Sequence, residues 1–243
     1  MLDDSESAMV QIPRMTTSPD KSGFDKYAAD YEAMHSANVA VSGESTVYFA
    51  DHKVAALQRL GVKAADPILD YGCGIGNLIE RLFPAFEEVH GYDPSPKSLE
   101  VAKGRAPRAV LHQDVATVPD RHFKCAVLSC VLHHVPRAER LELMQTVRAK
   151  LVPGGRVFIF EHNPFNPLTR RAVATCPFDH DAVLLWPWEA KRLAKSAGFE
   201  PVRLEYVLFF PRALAALRPL EPRLSWLGLG AQTLTIAENP AQA

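Results

Sequence analysis

The chain has 243 residues, and its 27 basic and 28 acidic residues leave a formal net charge of −1. This balance argues against a dedicated nucleic-acid binder, and 47% apolar with 23% charged residues excludes a disordered chain. Four cysteines without CxxC spacing indicate neither a zinc knuckle nor a disulfide framework, so we expect a reducing, cytoplasmic location. The acidic start does not resemble a signal peptide, and no apolar run is long enough to span a membrane.

The first quarter of the chain predicts a tail followed by two helices. Residues 1–22 are polar and contain Ser, Thr, Pro and Asp, so we expect a flexible tail there. Apolar and aromatic residues recur at helical spacing over 24–35 and again over about 45–60, where Gly61 provides a stop. We therefore expect a single domain over 23–243 that begins with a helical cap.

Strand and helix patterns alternate through the middle of the chain. The predicted strands are 67–70, 88–92, 109–112, 124–131 and 156–160. The predicted helices between them are 77–83, 95–103 and 137–151. Such alternation predicts βαβ units, and therefore an α/β fold with a doubly wound, mostly parallel sheet and helices on both faces.

The regular alternation of predicted strands and helices stops after Glu161. Residues 161–187 contain four prolines, and we predict an insertion or lid there. A further helix and two final strands are predicted at 188–197, 202–210 and 232–237. The apolar and basic stretch 211–230 is interpreted as a lid or pocket wall, with a dimer face or a membrane-surface element as alternatives.

A glycine-rich turn after the first predicted strand carries the main chemical signal. Gly72, Gly74 and Gly76 let the backbone approach a ligand where a Cβ would clash. Asp93 ends the next strand, where a carboxylate can bind both hydroxyls of a ribose. We therefore predict a nucleoside site at the carboxyl edge of the sheet. Asn77 stands where a dinucleotide fingerprint needs its third glycine, so a nicotinamide-dependent oxidoreductase is the less favoured alternative.

Six segments resemble, in order, the motifs of class I S-adenosylmethionine-dependent methyltransferases. They are Phe24–Tyr31, Asp70–Asn77, Gly91–Ser95, Gln113–Val115, Leu128–Pro136 and Leu151–Gly155. The resemblance extends from about residue 24 to residue 238. It implies a Rossmann-like, seven-stranded sheet in which the last strand is antiparallel and lies beside the sixth. It also implies S-adenosyl-L-methionine as cofactor and S-adenosyl-L-homocysteine as product.

The resemblance also implies which residues bind the cofactor. Asp93 would bind the ribose, Pro94 would lie along the adenine, and Asp114 would accept the exocyclic amine. The backbone near Ser129 and Cys130 would lie under the methionine end. The whole predicted set is Tyr27, Tyr31, Asp70, Gly72, Gly74, Asp93, Pro94, Asp114, Val115, Ser129 and Cys130. Its two N-terminal tyrosines would face the sulfonium by cation–π attraction.

Candidate catalytic residues follow the fourth and fifth predicted strands. His133 and His134 offer imidazoles, the natural bases near neutral pH. Their alternative role is packing on the next helix or positioning a ligand. Glu161 and His162 follow the fifth strand at the same edge. Glu161 would bind or deprotonate the acceptor, or would instead pair with an arginine at 170 or 171.

Two further groups lie in and beside the predicted insertion. Asp179, His180 and Asp181 form an acidic and imidazole cluster. Because the ligands of a hard cation normally converge from separate segments, we predict a solvated or capping role and no bound metal. Trp186 and Trp188 flank Pro187, and we predict packing rather than a pocket wall.

The expected reaction is transfer of a methyl group to a small molecule. Oxygen is the first choice of acceptor atom, because imidazoles and carboxylates cluster at the substrate edge. Nitrogen and carbon acceptors are alternatives, as is a cofactor-binding module without catalysis. In-line displacement depends on near-attack geometry, and a positioned base adds roughly 10²–10⁴-fold. No nucleic-acid partner is expected, and the oligomeric state is left open.

Overall fold

The computed structural model describes residue 25, residues 31–177 and residues 179–241. The predicted tail, most of the first predicted helix with Tyr27, and the side chain of Tyr31 lie outside this description. Seven strands form one sheet: β1 (Ile68–Tyr71), β2 (Val89–Tyr92), β3 (Val110–His112), β4 (Phe123–Ser129), β5 (Leu151–His162), β6 (Val202–Val207) and β7 (Gln232–Glu238). None of the helices in these ranges is long and apolar enough to cross a membrane.

Eight α-helices lie within the described residues. They are α1 (Tyr31–Val39), α2 (Thr46–Arg59), α3 (Asn77–Leu82), α4 (Pro96–Arg105), α5 (Arg140–Lys150), α6 (Pro167–Thr175), α7 (Pro187–Ser196) and α8 (Glu221–Leu224). A proline at the first helical position and an N-cap side chain begin α4 and α6. In α4, for example, the Ser95 hydroxyl accepts a hydrogen bond from the Ser98 N–H.

The strand order in the sheet is β3-β2-β1-β4-β5-β7-β6. The first five strands are parallel to one another, whereas β7 is antiparallel to both of its neighbours, β5 and β6. The chain thus winds outward from β1 in both directions. The predicted seven-stranded, mostly parallel sheet with an antiparallel last strand beside the sixth is confirmed.

The helices cover both faces of the sheet and create two cores. In β4, Cys125 and Val127 join the core that contains α2 and α3. The alternate residues, Ala126 and Leu128, join the core that contains α5 and α7. All four side chains are fully buried. This explains why residues 125–128 of β4 are an uninterrupted apolar run, since the part of a strand that is covered on both faces has no polar side.

Some boundaries differ from the predictions. β5 begins at Leu151 and contains the Pro-Gly-Gly sequence that was expected to separate helix from strand, with a register shift opposite 123–125. The predicted insertion 161–187 includes a regular helix, α6. β6 ends three residues early, because Leu208 adopts a left-handed conformation with φ 63°.

Candidate active site

The glycine turn after β1 is held by hydrogen bonds to the end of β2. The Tyr92 carbonyl accepts from the Gly72 and Cys73 N–H groups at 2.7 and 2.9 Å. Gly72 has φ 83°, and a Cβ there would lie 2.6 Å from the Val131 side chain. Gly74 has φ 52°, and a Cβ there would meet nothing within 4 Å. The turn therefore exposes bare backbone to open space at Gly74, as a ligand cradle requires.

Asp93 ties this turn to the start of α4. One carboxylate oxygen accepts from the Gly74 N–H at 2.8 Å, and the other accepts from the Ser95 N–H at 2.9 Å. Burial raises the pKa of Asp93, although these two hydrogen bonds oppose the rise. Each oxygen retains a lone pair, so the carboxylate is oriented and can still accept from ligand hydroxyls.

Two buried charged groups lie at the base of the turn. Asp70 is 1% exposed, and its Oδ1 has no hydrogen-bond partner among the described residues. Burial, reinforced by the charge of Asp93, raises the pKa of Asp70 to about 7. Lys53 is 5% exposed, and burial lowers its pKa. An orphaned carboxylate oxygen and a buried ammonium are costly unless a ligand pairs with them.

Sequence reasoning missed Lys53. It lies on the buried face of α2, and its Nζ lies 3.4 Å from the Phe49 carbonyl and 5.5 Å from the centre of the Phe160 ring. A signal was available, because position 53 falls on the same helical face as Ala50 and Leu57. A lysine on an apolar stripe is rarely buried without a functional reason.

One cavity of about 850 Å³ joins the glycine turn to the ends of β4 and β5. Most of the predicted site residues line it, namely Asp70, Gly72, Gly74, Asp93, Pro94, Val115, Ser129, Cys130, His133, His134 and His162. Asp114 and Glu161 are not among the lining residues. The Asp114 carboxylate is exposed and accepts from the Ala116 N–H at 2.9 Å.

Glu161 lies beneath the cavity and holds His133. One Glu161 oxygen faces the His133 Nδ1 at 2.6 Å, and the other accepts from the Leu132 N–H at 2.8 Å. Both side chains are 1% exposed. The alternative pairing with an arginine at 170 or 171 is wrong, because the carboxylate points inward to the imidazole. Glu161 can position His133, but it does not face the cavity.

Asp179 joins this cluster from the segment after α6. Its Oδ1 lies 3.3 Å from the His134 Nε2 and 3.7 Å from the His133 Nε2. The predicted solvated or capping role of Asp179 is wrong, because the residue is 6% exposed and faces two imidazoles. Its neighbours His180 and Asp181 do have exposed side chains. A lone inward-facing residue in a segment without regular structure leaves no periodic pattern in the sequence.

The buried histidines and carboxylates of this cluster shift one another's pKa values. Burial alone would lower the pKa of His133, but the Glu161 and Asp179 carboxylates outweigh it and raise the pKa to about 9. Burial and the neighbouring charge of His133 lower the pKa of His162 to about 4. Burial would raise the pKa of Asp179, yet the two imidazoles lower it. Shifted groups gathered in one cavity are typical of active sites.

The predicted tryptophan pair lies outside the cavity. The Trp186 and Trp188 rings stack with centroids 5.1 Å apart and an interplanar angle of 4°, and both contact Phe165. Both tryptophans are exposed, and neither lines the cavity. From the stretch after β6, Phe209 and Phe210 do line it.

The fold and this cavity define a class of protein. A parallel sheet with a glycine turn after β1 and a carboxylate after β2 is the arrangement of a nucleoside-binding α/β protein. A family model described as a methyltransferase domain matches residues 47–204. Because this range is more than half of the chain, the chain belongs to that methyltransferase family. The predicted methyltransferase family is confirmed.

Curated relatives and solved structures agree with this family. The trans-aconitate 2-methyltransferase of Methylobacterium nodulans is 32% identical over 134 residues, which are 50% of each chain. The demethylmenaquinone methyltransferase of Tropheryma whipplei is 31% identical over 158 residues, 63% of this chain and 62% of the relative. The chain therefore spans about half to two-thirds of the length of these relatives.

A solved structure extends the likeness over more of the fold. It is a Thermotoga maritima S-adenosylmethionine-dependent methyltransferase, described as a possible histamine N-methyltransferase. It superposes with a TM-score of 0.63 at 16% identity, over 90% of this chain and 98% of the other. At this identity the likeness shows a shared fold, and it assigns no substrate.

The cavity residues fit S-adenosylmethionine. The open side of Gly74 leaves room for a ligand against the backbone. Asp93 is oriented beside it to accept hydroxyl groups. The orphaned Oδ1 of Asp70 and the buried Lys53 offer opposite charges, which match the ammonium and carboxylate of an amino acid.

Proposed function

We propose that the chain transfers a methyl group from S-adenosylmethionine to an oxygen atom of a small-molecule acceptor. The observation that carries this proposal is the single cavity that joins the glycine turn and Asp93 to three imidazoles and Asp179. Relatives named for trans-aconitate and demethylmenaquinone support an acceptor of small size. Nitrogen and carbon acceptors are the alternatives that experiment must separate.

In this proposal, one half of the cavity binds the cofactor. Asp93 accepts from the ribose hydroxyls, while Asp70 and Lys53 pair with the ammonium and the carboxylate of the methionine end. When bound, S-adenosylmethionine supplies an activated methyl group on a sulfonium. The chain holds the acceptor atom in line with the methyl group, and this fixed geometry removes much of the entropic barrier to the reaction.

Side chains in the other half of the cavity remove a proton from the molecule that receives the methyl group. A hydroxyl is a poor nucleophile until its proton leaves, whereas a neutral amine needs no base to attack. An imidazole cluster at the acceptor end therefore favours an oxygen acceptor. Both His134 and His162 line the cavity, while His133 is enclosed between two carboxylates. The first two are the candidates for proton transfer.

Ligand binding and an acceptor screen test this proposal. We expect isothermal titration to show that S-adenosylhomocysteine binds the full chain and that NAD does not. Incubation with methyl-labelled cofactor should then label hydroxyl or carboxyl compounds in a matched panel of oxygen, amine and carbon acceptors. Binding of NAD alone would overturn the cofactor, and label confined to amines would overturn the oxygen acceptor.

A further inference from the structure

Three metal-ligating side chains converge at the acceptor end of the cavity. His133 and His134 lie on a single-turn 3₁₀ helix after β4, and Asp179 comes from a segment more than forty residues later. One ligating atom from each lies within 4.8 Å of the other two. We propose that these three residues bind a divalent cation of the zinc type, which holds the acceptor oxygen.

Two of the three separations between ligand atoms are close to those of a tetrahedral site. Zinc binds imidazole nitrogen at about 2.0–2.1 Å and carboxylate oxygen at about 2.0–2.2 Å, so neighbouring ligand atoms lie about 3.3–3.5 Å apart. Asp179 Oδ1 lies 3.3 and 3.7 Å from the two Nε2 atoms. Octahedral magnesium would need separations of about 2.9 Å and mainly oxygen ligands. Two imidazoles and one carboxylate therefore favour zinc.

An unpartnered nitrogen points into the proposed site. The Nε2 of His133 is buried and has no hydrogen-bond partner among the described residues. Its nearest carboxylate oxygen, on Asp179, is 3.7 Å away, which is too long for a hydrogen bond. A buried polar atom left unpaired destabilises the fold. A cation between His133 and Asp179 would satisfy both atoms.

The other nitrogen of the same ring has the partner that metal-binding histidines usually have. Glu161 faces the His133 Nδ1 at 2.6 Å. Glu161 is itself fixed by the Leu132 N–H. A carboxylate on the far nitrogen places the proton there, so that Nε2 is left as the ligand atom, and it makes the ring a stronger ligand.

Hydrogen bonds to backbone carbonyls hold the two contributing segments together. The Val183 N–H donates to the His133 carbonyl at 2.8 Å. Arg140 then donates to the carbonyls of Val183 and Val135 at 2.8 and 2.9 Å. The segment that carries Asp179 is therefore fixed against the turn that carries both histidines, as a site formed before metal binding requires.

Three protein ligands leave a fourth position on the cation, which is the pattern of catalytic zinc sites. His133, His134 and Asp179 all line the cavity, so this position is open to an acceptor. The His162 ring lies 5.1 Å from the His133 ring and also lines the cavity. His162 lies beside the proposed ligands without being one of them, so we assign it to take the proton.

The catalytic role of the cation rests on the proposed oxygen methylation. The acceptor oxygen occupies the fourth position, and the cation lowers the pKa of its hydroxyl. The proton passes to His162, and an oxygen lone pair forms the new bond to the methyl carbon. The carbon–sulfur bond breaks and its electron pair stays on sulfur. The products are a methyl ether or ester, S-adenosylhomocysteine and a protonated imidazole.

Metal content of the full chain tests the site without any acceptor. The protein is stripped with chelator, incubated with zinc chloride, gel-filtered and analysed by elemental mass spectrometry. We expect about one zinc per chain, and a higher unfolding midpoint with zinc than without it. Asp179→Asn and His134→Ala should weaken zinc binding at least tenfold. Glu161→Gln should weaken it roughly 10–100-fold, the usual cost of losing an outer partner.

A second histidine–carboxylate cluster provides the matched control. His90 and His122 both face Glu88, at 3.1 and 2.6 Å, so their facing nitrogens already have a partner. The His122→Ala variant should retain the zinc of the unmodified protein. Loss of zinc in His122→Ala with retention in Asp179→Asn would overturn the site, as would a gel-filtered protein without zinc.

Cofactor titration separates this inference from the proposed function. Each variant is titrated with S-adenosylhomocysteine, whose proposed contacts lie in the other half of the cavity. An unchanged affinity for S-adenosylhomocysteine shows that Asp179→Asn is folded. His134→Ala, at a partly exposed position, provides a second variant in case Asp179→Asn does not fold. Binding of S-adenosylhomocysteine without zinc would overturn only the metal site. Zinc binding without S-adenosylhomocysteine would overturn the proposed function.

Discussion

The two halves of the cavity are built in different ways. The cofactor half comes from short, contiguous segments: the turn after β1 and the Asp93 loop after β2. The acceptor half combines a turn after β4, the end of β5 and a residue from the segment after α6. The cofactor half thus depends on local backbone geometry, whereas the acceptor half depends on side chains brought together by tertiary structure. We expect mutations to affect the two halves separately.

The largest expected effect is on turnover, in the acceptor half. His162→Ala should lower kcat by roughly 10²–10³-fold, because the acceptor loses its proton-accepting imidazole. The measurement is a steady-state rate with an acceptor found in the screen. His122→Ala, outside the cavity, should retain the rate of the unmodified protein. An unchanged kcat in His162→Ala would remove this residue from the mechanism.

The next effect is on binding, in the cofactor half. Asp93→Ala should weaken the binding of S-adenosylhomocysteine by ~100-fold, or about 2.7 kcal/mol. The variant loses the ribose acceptor, and it also frees the Gly74 and Ser95 N–H groups. The measurement is isothermal titration.

The control for Asp93 is another carboxylate that accepts from the backbone. Asp66 accepts from the Lys63 N–H at 2.8 Å at an exposed position. Asp66→Ala should leave the affinity unchanged. Equal losses in the two variants would show that Asp93 acts through general stability and not through the ligand.

A smaller effect is a pH dependence in the cofactor half. The pKa of Asp70 is about 7 without ligand, so the group is mostly protonated below that pH and ionised above it. An ammonium group pairs with the ionised form. The affinity for S-adenosylhomocysteine should therefore rise up to about tenfold between pH 6 and pH 8. Asp70→Asn should bind S-adenosylhomocysteine more weakly at pH 8, and its affinity should not depend on pH in this range. If the affinity of Asp70→Asn still rises with pH as in the unmodified chain, another group causes the pH dependence.

The smallest effect is expected at Asp114. The resemblance implies a contact with the adenine amine, but the carboxylate is exposed and already accepts from the Ala116 N–H. An exposed hydrogen bond contributes about 0.5–1.5 kcal/mol, so Asp114→Ala should weaken S-adenosylhomocysteine binding by only about three- to tenfold. A loss as large as that of Asp93→Ala would show that Asp114 closes over the bound adenine.

The same contrast explains what the sequence could predict. The parallel sheet and the cofactor half follow from features that are local in sequence, such as the apolar run of β4 and the glycine spacing at 72–76. The antiparallel last strand beside the sixth was implied only by the family resemblance. Sequence also placed His133, His134 and His162 at the correct edge, because parallel strands end together there. The role of each histidine depends on neighbours that no local pattern specifies.

Two residues show the limit of that reasoning. Asp179 was expected to have a solvated or capping role, because the ligands of a hard cation normally converge from separate segments. Its burial depends on contacts between the segment after α6 and the turn after β4. Lys53 was passed over although its helical face is apolar, since snorkelling is the common arrangement for lysine. The burial of Asp179 thus depends on a contact between distant segments, whereas the burial of Lys53 could have been predicted from its helical face.

The most direct test of the two-half account compares one variant from each half in a single titration. S-adenosylhomocysteine is titrated into the unmodified chain, Asp93→Ala and His162→Ala under the same conditions. The account predicts a ~100-fold loss of affinity in Asp93→Ala and a change of less than about twofold in His162→Ala. Comparable losses in both variants would contradict it and would mean that the cavity acts as one unit.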